Sequence, residues 1–477
     1  MKPSILALAA VAVLAGVLPA RAQAQVATGR MGPLRPDQQQ FFALYKELVE
    51  TDTSVTTGDC TRAAAQVAAR LKAAGFADDQ VTLFSVPEHP KEGGLVAVLP
   101  GTSKTLAPML LLAHIDVVAA KREDWVRDPF KLVEENGYYY ARGIADDKMM
   151  AATWADTLIR FRQSGYAPAR TVKLALTCGE ETSGAFNGAE YLAAHQRALI
   201  DAAFALNEGG GGDTDGKGHL VAQSIQVGEK LYQDYRFVAT NPGGHSSQPV
   251  RDNAIYAMSE ALLKVRGHEF PAEFNDTTRV FLERAGAARK DALGEAMVAL
   301  AKDPDDAAAA AIVNADKGFH SMLRTTCVAT MIDGGHALNA LPQRVEANVN
   351  CRILPGHTPD EVQEELAAVV GDPGIAIEQK QKGKPVAKMP PMDPAIIGPM
   401  ETLSAKYFPG VPVIPAMSTG ATDGLYMSAV GIPTYGVPGA WGDPDGNGAH
   451  GLNERLEVRS VYVGRDYLFD LVKALAQ

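Results

Sequence analysis

The sequence has no surplus of positive charge, few cysteines and, beyond its first two dozen residues, no long hydrophobic run. Acidic residues outnumber basic ones, and the formal net charge of −11 argues against a nucleic-acid-binding protein. No internal repeat is visible, and no later segment has the pattern of a transmembrane helix. With 477 residues, 46% of them hydrophobic, the chain can form two or three domains, or one large domain with an insertion.

The one long apolar run lies at the N-terminus, after Lys2, and is followed by the small-residue segments "ARA" and "AQA". This pattern is typical of a secretory signal peptide, so we expect residues 1–24 to be removed by cleavage near Ala22 or Ala24. A membrane anchor is the alternative, but the run is short for a span. We therefore expect an exported protein, periplasmic or secreted, with no membrane contact after cleavage.

The cysteines number only four, and an oxidising compartment allows them to form disulfides. Cys327 and Cys351 lie in two strand-like runs separated by a turn-rich segment. Their sulfurs can meet if these strands are antiparallel neighbours, which the sequence leaves open. Cys178 lies beside two glutamates, but its spacing to other potential ligands matches no zinc motif.

The order of the predicted elements indicates two kinds of architecture. Up to residue 229, helices alternate with continuously apolar strands such as "PMLLLAHIDVV", which predicts an α/β fold with a mainly parallel sheet. Over 230–385 the strands become half-polar, and the order strand–helix–strand–strand–helix–strand predicts an inserted ferredoxin-like α+β domain. Residues 386–477 return to buried strands and a closing helix. We therefore predict one domain built from 25–229 and 386–477, with the second domain inserted into it.

Histidine and acidic residues stand where the apolar strands end. His114 and Asp116 close the stretch "LLLAHIDVV" two residues apart, so their side chains share one face of the strand. In a parallel sheet, ligands gather at the carboxyl ends of the strands, so we expect such residues to converge. The others of this kind are Asp146, Asp147, Glu180, Glu181, Glu208 and, in a glycine-rich loop, His450.

Each of these residues taken alone has an ordinary structural interpretation. His114 can be a core histidine bonded to a nearby acid, the aspartate pair can cap a helix, the glutamate pair can form a solvated turn, and His450 can lie on the surface. Their repetition at strand ends favours a common site instead. Two imidazoles with several carboxylates suit Zn²⁺ and tolerate Co²⁺ or Mn²⁺. Carboxylates that converged without a cation would repel each other.

The ordered motifs H-x-D, G-x-x-D-x-K, E-E, a later glutamate and a late G-x-H resemble those of the co-catalytic di-zinc metallopeptidases. This family includes aminoacylase, carnosinase, carboxypeptidase S, acetylornithine deacetylase and succinyl-diaminopimelate desuccinylase. The resemblance extends over essentially the whole chain after the signal peptide. It implies a zinc hydrolase that cleaves an amide bond next to a free carboxylate, in an N-acyl amino acid or a short peptide.

The resemblance implies two zinc ions in each subunit and five protein ligands. Asp146, two residues before the motif lysine, would bridge both ions. Glu208 would bind the same zinc as His114, and Glu181 the same zinc as His450.

The remaining roles implied by the resemblance fall on both domains. Asp116 would orient the first histidine ligand, and Glu180 would be the general base that activates a metal-bridging water. The inserted domain would act as a lid and dimerisation domain, and its His245 would stabilise the oxyanion in the active site of the partner subunit. Asn339 and Arg352 would hold the substrate, with the arginine on its carboxylate. A homodimer is therefore expected.

The chain departs from the family pattern at two positions and carries an addition. Met149 replaces the usual glycine. Glu208 is a glutamate rather than an aspartate, which in the family favours deacylases and aminoacylases over carboxypeptidases and dipeptidases. A helical addition at roughly 270–320 exceeds the minimal insert and is expected to alter the dimer interface. A one-domain di-zinc aminopeptidase is an alternative, but the ferredoxin-like insert and "GGHSS" argue against it. A non-catalytic binding protein with this fold should have lost ligands or the base.

Overall fold

The structure is a computed structural model and describes residues 32–182, 186–215, 217 and 219–477. The predicted signal peptide lies outside the described residues. The described helices are α1 Pro36–Val49, α2 Cys60–Ala73, α3 Lys148–Gln163, α4 Gly188–His195, α5 Arg197–Ile200, α6 Ala254–Gly267, α7 Asp276–Ala288, α8 Ala292–Lys302, α9 Ala307–Asn314, α10 Lys317–Met322, α11 Pro359–Val370, α12 Pro394–Tyr407, α13 Gly424–Ala429 and α14 Val458–Leu475.

The described strands form four sheets of different size. They are β1 Val81–Val86, β2 His89–Leu99, β3 Met109–His114, β4 Val133–Glu135, β5 Tyr138–Tyr140, β6 Val172–Thr177, β7 Phe204–Asn207, β8 Gly211–Thr214, β9 Leu220–Glu229, β10 Leu231–Thr240, β11 Gly244–His245, β12 Thr326–Gly334, β13 Ala340–Leu341, β14 Arg344–Ile353, β15 Ile375–Gln379, β16 Val413–Ser418, β17 Thr434–Gly436, β18 Trp441–Gly442 and β19 Arg455–Glu457.

The largest sheet has the order β1-β2-β6-β3-β7-β17-β9-β8-β18, with β16 also paired to β9. Its central strands β6, β3, β7 and β17 run parallel to one another, while β1 and β2 are antiparallel. Every residue of β3 and β6 is buried, because helices cover both faces of the sheet. The predicted α/β fold with a mainly parallel catalytic sheet is thus confirmed.

A smaller four-stranded sheet has the order β12-β14-β10-β15, and each neighbouring pair is antiparallel. One of its faces packs against α6 and α11, where Tyr235, Phe237 and Val349 meet Met258 and Leu366. This is the expected ferredoxin-like α+β arrangement. The chain passes directly from the large sheet into this one, since a single residue separates β9 from β10.

The helical addition belongs to the insert in sequence, but it packs against the large sheet. Helices α7 to α10 form a cluster in which Phe281, Leu282 and Met297 pack with Ile414 and Ala416 of β16. Because β16 pairs with β9 alone, the cluster covers an edge strand of the large sheet. The apolar side chains of the addition are therefore used mainly against the large sheet.

Two disulfides link distant parts of the chain. The bond between Cys327 and Cys351 joins β12 to β14, where the two residues are directly opposite in the antiparallel register. This answers the question that the sequence left open. The second bond, between Cys60 and Cys178, ties the start of α2 to the residue after β6 and was not predicted. Within the described part of the chain, no helix has the length and apolar character needed to span a bilayer.

Candidate active site

The carboxyl ends of three parallel strands bring the candidate ligands to one edge of the large sheet. His114 is the last residue of β3, the glutamate pair 180–181 follows β6 after a short turn, and Glu208 follows β7. Asp146 lies just before α3, which packs against β3. This convergence follows from the strand order, because β3 lies between β6 and β7.

Asp146 stands between the two histidines. Its Oδ1 is 3.1 Å from Nε2 of His114, and its Oδ2 is 3.2 Å from Nε2 of His450. One carboxylate thus directs a separate oxygen to each imidazole, which is the arrangement required of a ligand that bridges two cations.

Each histidine also has an acidic neighbour of its own. Oε2 of Glu181 lies 2.8 Å from Nε2 of His450, and Oε1 of Glu208 lies 3.7 Å from Nε2 of His114. The predicted ligands therefore fall into two groups that share Asp146. Ligand atoms of His114, Asp146 and Glu181 all lie within 4.8 Å of one another, a spacing that a metal ion can fill.

The site carries more negative charge than the histidines balance. Burial, together with the charges of neighbouring carboxylates, raises the pKa of Glu180, Glu208 and Asp147 well above the ordinary value. Hydrogen bonds that His450 donates to the carboxylates of Asp146 and Glu181 raise its pKa to about 10. Crowded carboxylates with two imidazoles are a donor set that fits divalent cations such as zinc, whose charge would balance the surplus.

Asp116 positions both a histidine and the glutamate turn. Nδ1 of His114 lies 3.1 Å from the backbone oxygen of Asp116 and 3.6 Å from its Oδ1, which leaves Nε2 directed at the metal site. The same carboxylate accepts hydrogen bonds from the backbone N–H groups of Glu180 at 3.3 Å and Glu181 at 3.0 Å. One buried acid therefore fixes the proposed base relative to a ligand.

The three candidate residues of the inserted domain lie in two places. Arg352 is close enough to Glu180 for that charge to raise the pKa of its guanidinium, although burial lowers it overall. His245 and Asn339 lie together on the ribbon of β11 and β13, where the Ser246 N–H donates to the Asn339 backbone oxygen at 3.0 Å. Both are exposed, and no printed contact joins them to the metal-site residues of the described chain. The structure thus brings only Arg352 near the proposed base.

Sequence reasoning missed two buried acids that build the site. Glu454 is fully buried and accepts hydrogen bonds from Nη1 of Arg142 at 2.9 Å and from the backbone N–H of Asp146 at 3.2 Å. It thereby anchors the loop that carries the bridging aspartate. A signal was available, because Glu454 follows His450 by four residues in the same glycine-rich loop.

The second missed acid is Asp423, in the loop "STGATDG". Its carboxylate accepts hydrogen bonds from Oγ1 of Thr177 and from Nδ2 of Asn187, each at 2.7 Å. Thr177 ends β6, and Asn187 caps α4, so Asp423 ties this loop to both sides of the glutamate turn.

The parallel sheet, the inserted ferredoxin-like domain and the shared acid between two histidines define a metallohydrolase. A family model described as "Peptidase family M20/M25/M40" matches residues 110–474, and the chain belongs to this family. The resemblance drawn from the motifs is confirmed, and the protein is an M20 metallopeptidase or amidohydrolase of the carboxypeptidase or aminoacylase type.

Relatives and solved structures agree with this assignment. The chain is 28% identical to the "N-fatty-acyl-amino acid synthase/hydrolase PM20D1" of Mus musculus, over 79% of this chain and 75% of that protein. It is 26% identical to "Aminoacylase-1B" of Rattus norvegicus, over 80% of this chain and 84% of that one. The M20 family metallo-carboxypeptidase Sso-CP2 from Sulfolobus solfataricus has a similar fold, with a TM-score of 0.71 and 19% identity over 93% of this chain and all of that chain.

Proposed function

We propose that the protein hydrolyses an amide bond next to a free carboxylate, in an N-acyl amino acid or a short peptide, with two zinc ions per subunit. The observation that carries this proposal is Asp146, which presents one oxygen to each of two histidines while Glu180 lies beside the pair. The names of the mouse and rat relatives favour N-acyl amino acids as the substrate class.

Five residues would hold the metal ions, and Co²⁺ or Mn²⁺ could replace zinc. When bound, such ions supply positive charge that polarises the scissile carbonyl and acidifies an attacking water. The proposed ligands are His114, Asp146, Glu181, Glu208 and His450.

Glu180 is the proposed general base. Burial and the nearby charge of Glu208 raise its pKa, so the carboxylate takes a proton from water readily and can pass it to the leaving amine. The hydrogen bonds from the backbone of Glu180 and Glu181 to Asp116 keep the turn in place during this transfer.

The inserted domain would bind the substrate. Arg352 presents a guanidinium from β14 toward Glu180 and would grip the free carboxylate of the substrate with two charge-assisted hydrogen bonds. Asn339 would donate or accept a further hydrogen bond, and His245 would stabilise the oxyanion.

A homodimer would place His245 and Asn339 in the active site of the partner subunit. The evidence is that both are exposed at a ribbon tip, while β12 is an edge strand that exposes Val328, Met331 and Ile332. An exposed apolar edge strand favours pairing with another chain. We propose that two copies associate through this edge.

Export to the periplasm or beyond the cell is also part of the proposal. Its support is the N-terminal pattern and the two disulfides, which persist in oxidising compartments.

The decisive experiment combines metal analysis with a substrate screen. We expect about two zinc ions per subunit and turnover of N-acetyl amino acids or dipeptides, but not of their carboxamides. Glu180→Gln should lower kcat by up to about 10,000-fold while the metal content is unchanged. Glu88→Gln, at an exposed turn, is the matched control. Full activity of Glu180→Gln would contradict the assignment of the base.

Mixing two inactive variants tests the shared site. If His245 acts in the partner subunit, a mixture of Glu180→Gln and His245→Ala forms heterodimers with one intact site. After subunit exchange we expect about a quarter of the wild-type activity. No recovery, with exchange shown by a tagged subunit, would mean that His245 does not act across the interface.

A further inference from the structure

One face of the four-stranded sheet is polar and carries several cations. The register of β10 and β14 places Tyr232 opposite Arg352, and Asp234 opposite Asn350. Because side chains alternate along a strand, Tyr232 and Asp234 share one face. Lys230, the residue before β10, lies close to Thr326 of β12, which is opposite Arg352. Helices α6 and α11 pack on the other face, so these polar side chains point away from the helices.

Lys384 joins this face from the segment that leads back to the large sheet. Its Nζ donates a hydrogen bond to the backbone oxygen of Tyr232 at 3.0 Å and lies 5.0 Å from the centre of the Tyr232 ring. The Arg352 guanidinium lies 4.7 Å from the centre of the same ring. The two cations are close enough for the charge of Arg352 to lower the pKa of Lys384.

Both cations are close to acids of the large domain. The pKa of Arg352 responds to Glu180 in the metal site, and the pKa of half-buried Lys384 responds to Glu190 of α4. Helix α4 is the first helix after the glutamate turn, so the acids that act on the two cations belong to the same region of the large domain.

Burial lowers the pKa of both Arg352 and Lys384, and although the charge of Asp234 raises it in part, Asp234 forms no close ion pair with either. Among the ion pairs of the described residues, none includes Arg352, Lys384 or Lys230. Asp234 shares their face, but its two oxygens accept hydrogen bonds from two amides and a phenol. Fully buried Lys230 lies 3.5 and 3.4 Å from the hydroxyl groups of Ser321 and Thr326, and the charges of Arg352 and Arg324 also act on it.

A pair of partly buried cations without a close ion-pair partner attracts anions strongly, because little water screens them. One free carboxylate can occupy Arg352, whose planar guanidinium suits bidentate contact. Lys384, 5.0 Å from the centre of the same Tyr232 ring, then remains as a separate point charge.

We propose that Lys384 is a second substrate-binding cation and that the enzyme favours substrates with two anionic groups. Arg352 would bind the α-carboxylate, and Lys384 the side-chain carboxylate of an N-acyl aspartate or glutamate, or of a peptide that ends in one. This inference rests on the proposed function, since it names the substrate class of the same site.

The test compares N-acetyl-L-glutamate with N-acetyl-L-glutamine, which has nearly the same shape and one charge fewer. Wild-type enzyme should have the higher kcat/KM for the glutamate. Lys384→Met should lower kcat/KM for the glutamate by about 10- to 100-fold and change the glutamine value by less than about 3-fold. Lys384→Arg should retain the preference, and Lys382→Met, exposed in the same segment, should match wild type.

Equal losses on both substrates, no loss on either, or a wild-type preference for the glutamine would overturn the inference while leaving the hydrolase function intact. Calorimetry separates the two proposals further, with zinc-loaded Glu180→Gln protein as the binding partner. If no substrate is turned over, tighter binding of N-acetyl-L-glutamate that is lost in Glu180→Gln/Lys384→Met still supports the anion site. Equal binding of both ligands refutes it.

Discussion

Two surfaces that meet near Glu180 and Arg352 carry opposite surpluses of charge. At the carboxyl ends of the large sheet, buried carboxylates outnumber the imidazoles that could balance them. On the polar face of the small sheet, cations surround one acid whose oxygens are already hydrogen-bonded. Each surplus disfavours the folded protein by itself, and each fits a ligand of the opposite sign.

Two other buried charges in the chain differ from these, because each has a partner of opposite charge. Arg465 is fully buried, and its Nε donates to Asp156 at 2.8 Å while its Nη1 donates to Asp37 at 2.7 Å. Arg142 is paired with Glu454 in the same way. These charges are matched within the chain and serve the fold, so the unmatched charges are the ones that indicate ligands.

Removing Asp146, the acid shared by the two histidines, should have the largest effect on the metal site. Asp146→Asn takes one charge from both histidine groups, so we expect kcat to fall by more than about 1,000-fold and zinc to be lost on dialysis. Metal analysis by mass spectrometry and initial rates check this. Asp78→Asn, an exposed acid beside Lys72, serves as the control. Retention of both zinc ions would contradict the bridging role.

Removing a matched acid should affect stability instead. Glu454→Gln places an amide N–H against the backbone donors of the Asp146 loop and leaves Arg142 buried without its carboxylate. We expect the free energy of unfolding to fall by about 3–5 kcal/mol, measured by urea denaturation. A change within 0.5 kcal/mol, about the usual scale for a surface substitution, would show that the pair contributes little.

Removing the half-buried arginine of the small sheet should change which substrates are hydrolysed. Arg352→Ala should lower kcat/KM for substrates with a free carboxylate by about 100- to 1,000-fold, because two charge-assisted hydrogen bonds are lost. Hydrolysis of any carboxamide analogue that is turned over should change little. An equal loss on acids and amides would remove the proposed carboxylate contact.

Removing the fully buried cation should stabilise the protein, with a defined pH dependence. Burial, with the charges of Arg352 and Arg324, lowers the pKa of Lys230 from 10.5 to about 7. Between these values the unfolded chain binds more protons, so the wild-type free energy of unfolding rises with pH, and the cost is fully present below pH 7.

Lys230→Met removes this cost, so we expect a gain on the order of 2 kcal/mol at pH 6 that shrinks as the pH approaches 10. Urea unfolding at both pH values measures it, with Lys380→Met as the exposed control. A gain of the same size at both pH values would mean that charge is not its cause.

The fold and the ligand cluster were predictable from the sequence because both depend on local patterns. Apolar strands that end in His114 or Glu208 fix where polar groups emerge, and parallel pairing brings those ends together. The element order of the insert likewise indicated its four-stranded sheet.

The parts that sequence reasoning missed depend on contacts between distant residues. Cys60 and Cys178 are 118 residues apart and lie in unrelated patterns, so nothing local pairs them. The cationic face arises because strand register and a returning segment bring Arg352 and Lys384 to one tyrosine. The packing of the helical addition on β16 also depends on tertiary contacts alone.

The bond between Cys60 and Cys178 has a consequence for how the enzyme must be made. Cys178 precedes the base by two residues, so this crosslink clamps the catalytic turn to the first residue of α2. Protein produced in a thiol-rich cytosol would lack this bond, and its turn would be held by the hydrogen bonds of Asp116 and Asp423 without the covalent link. Export, as proposed above, would therefore complete the active site by allowing this bond to form.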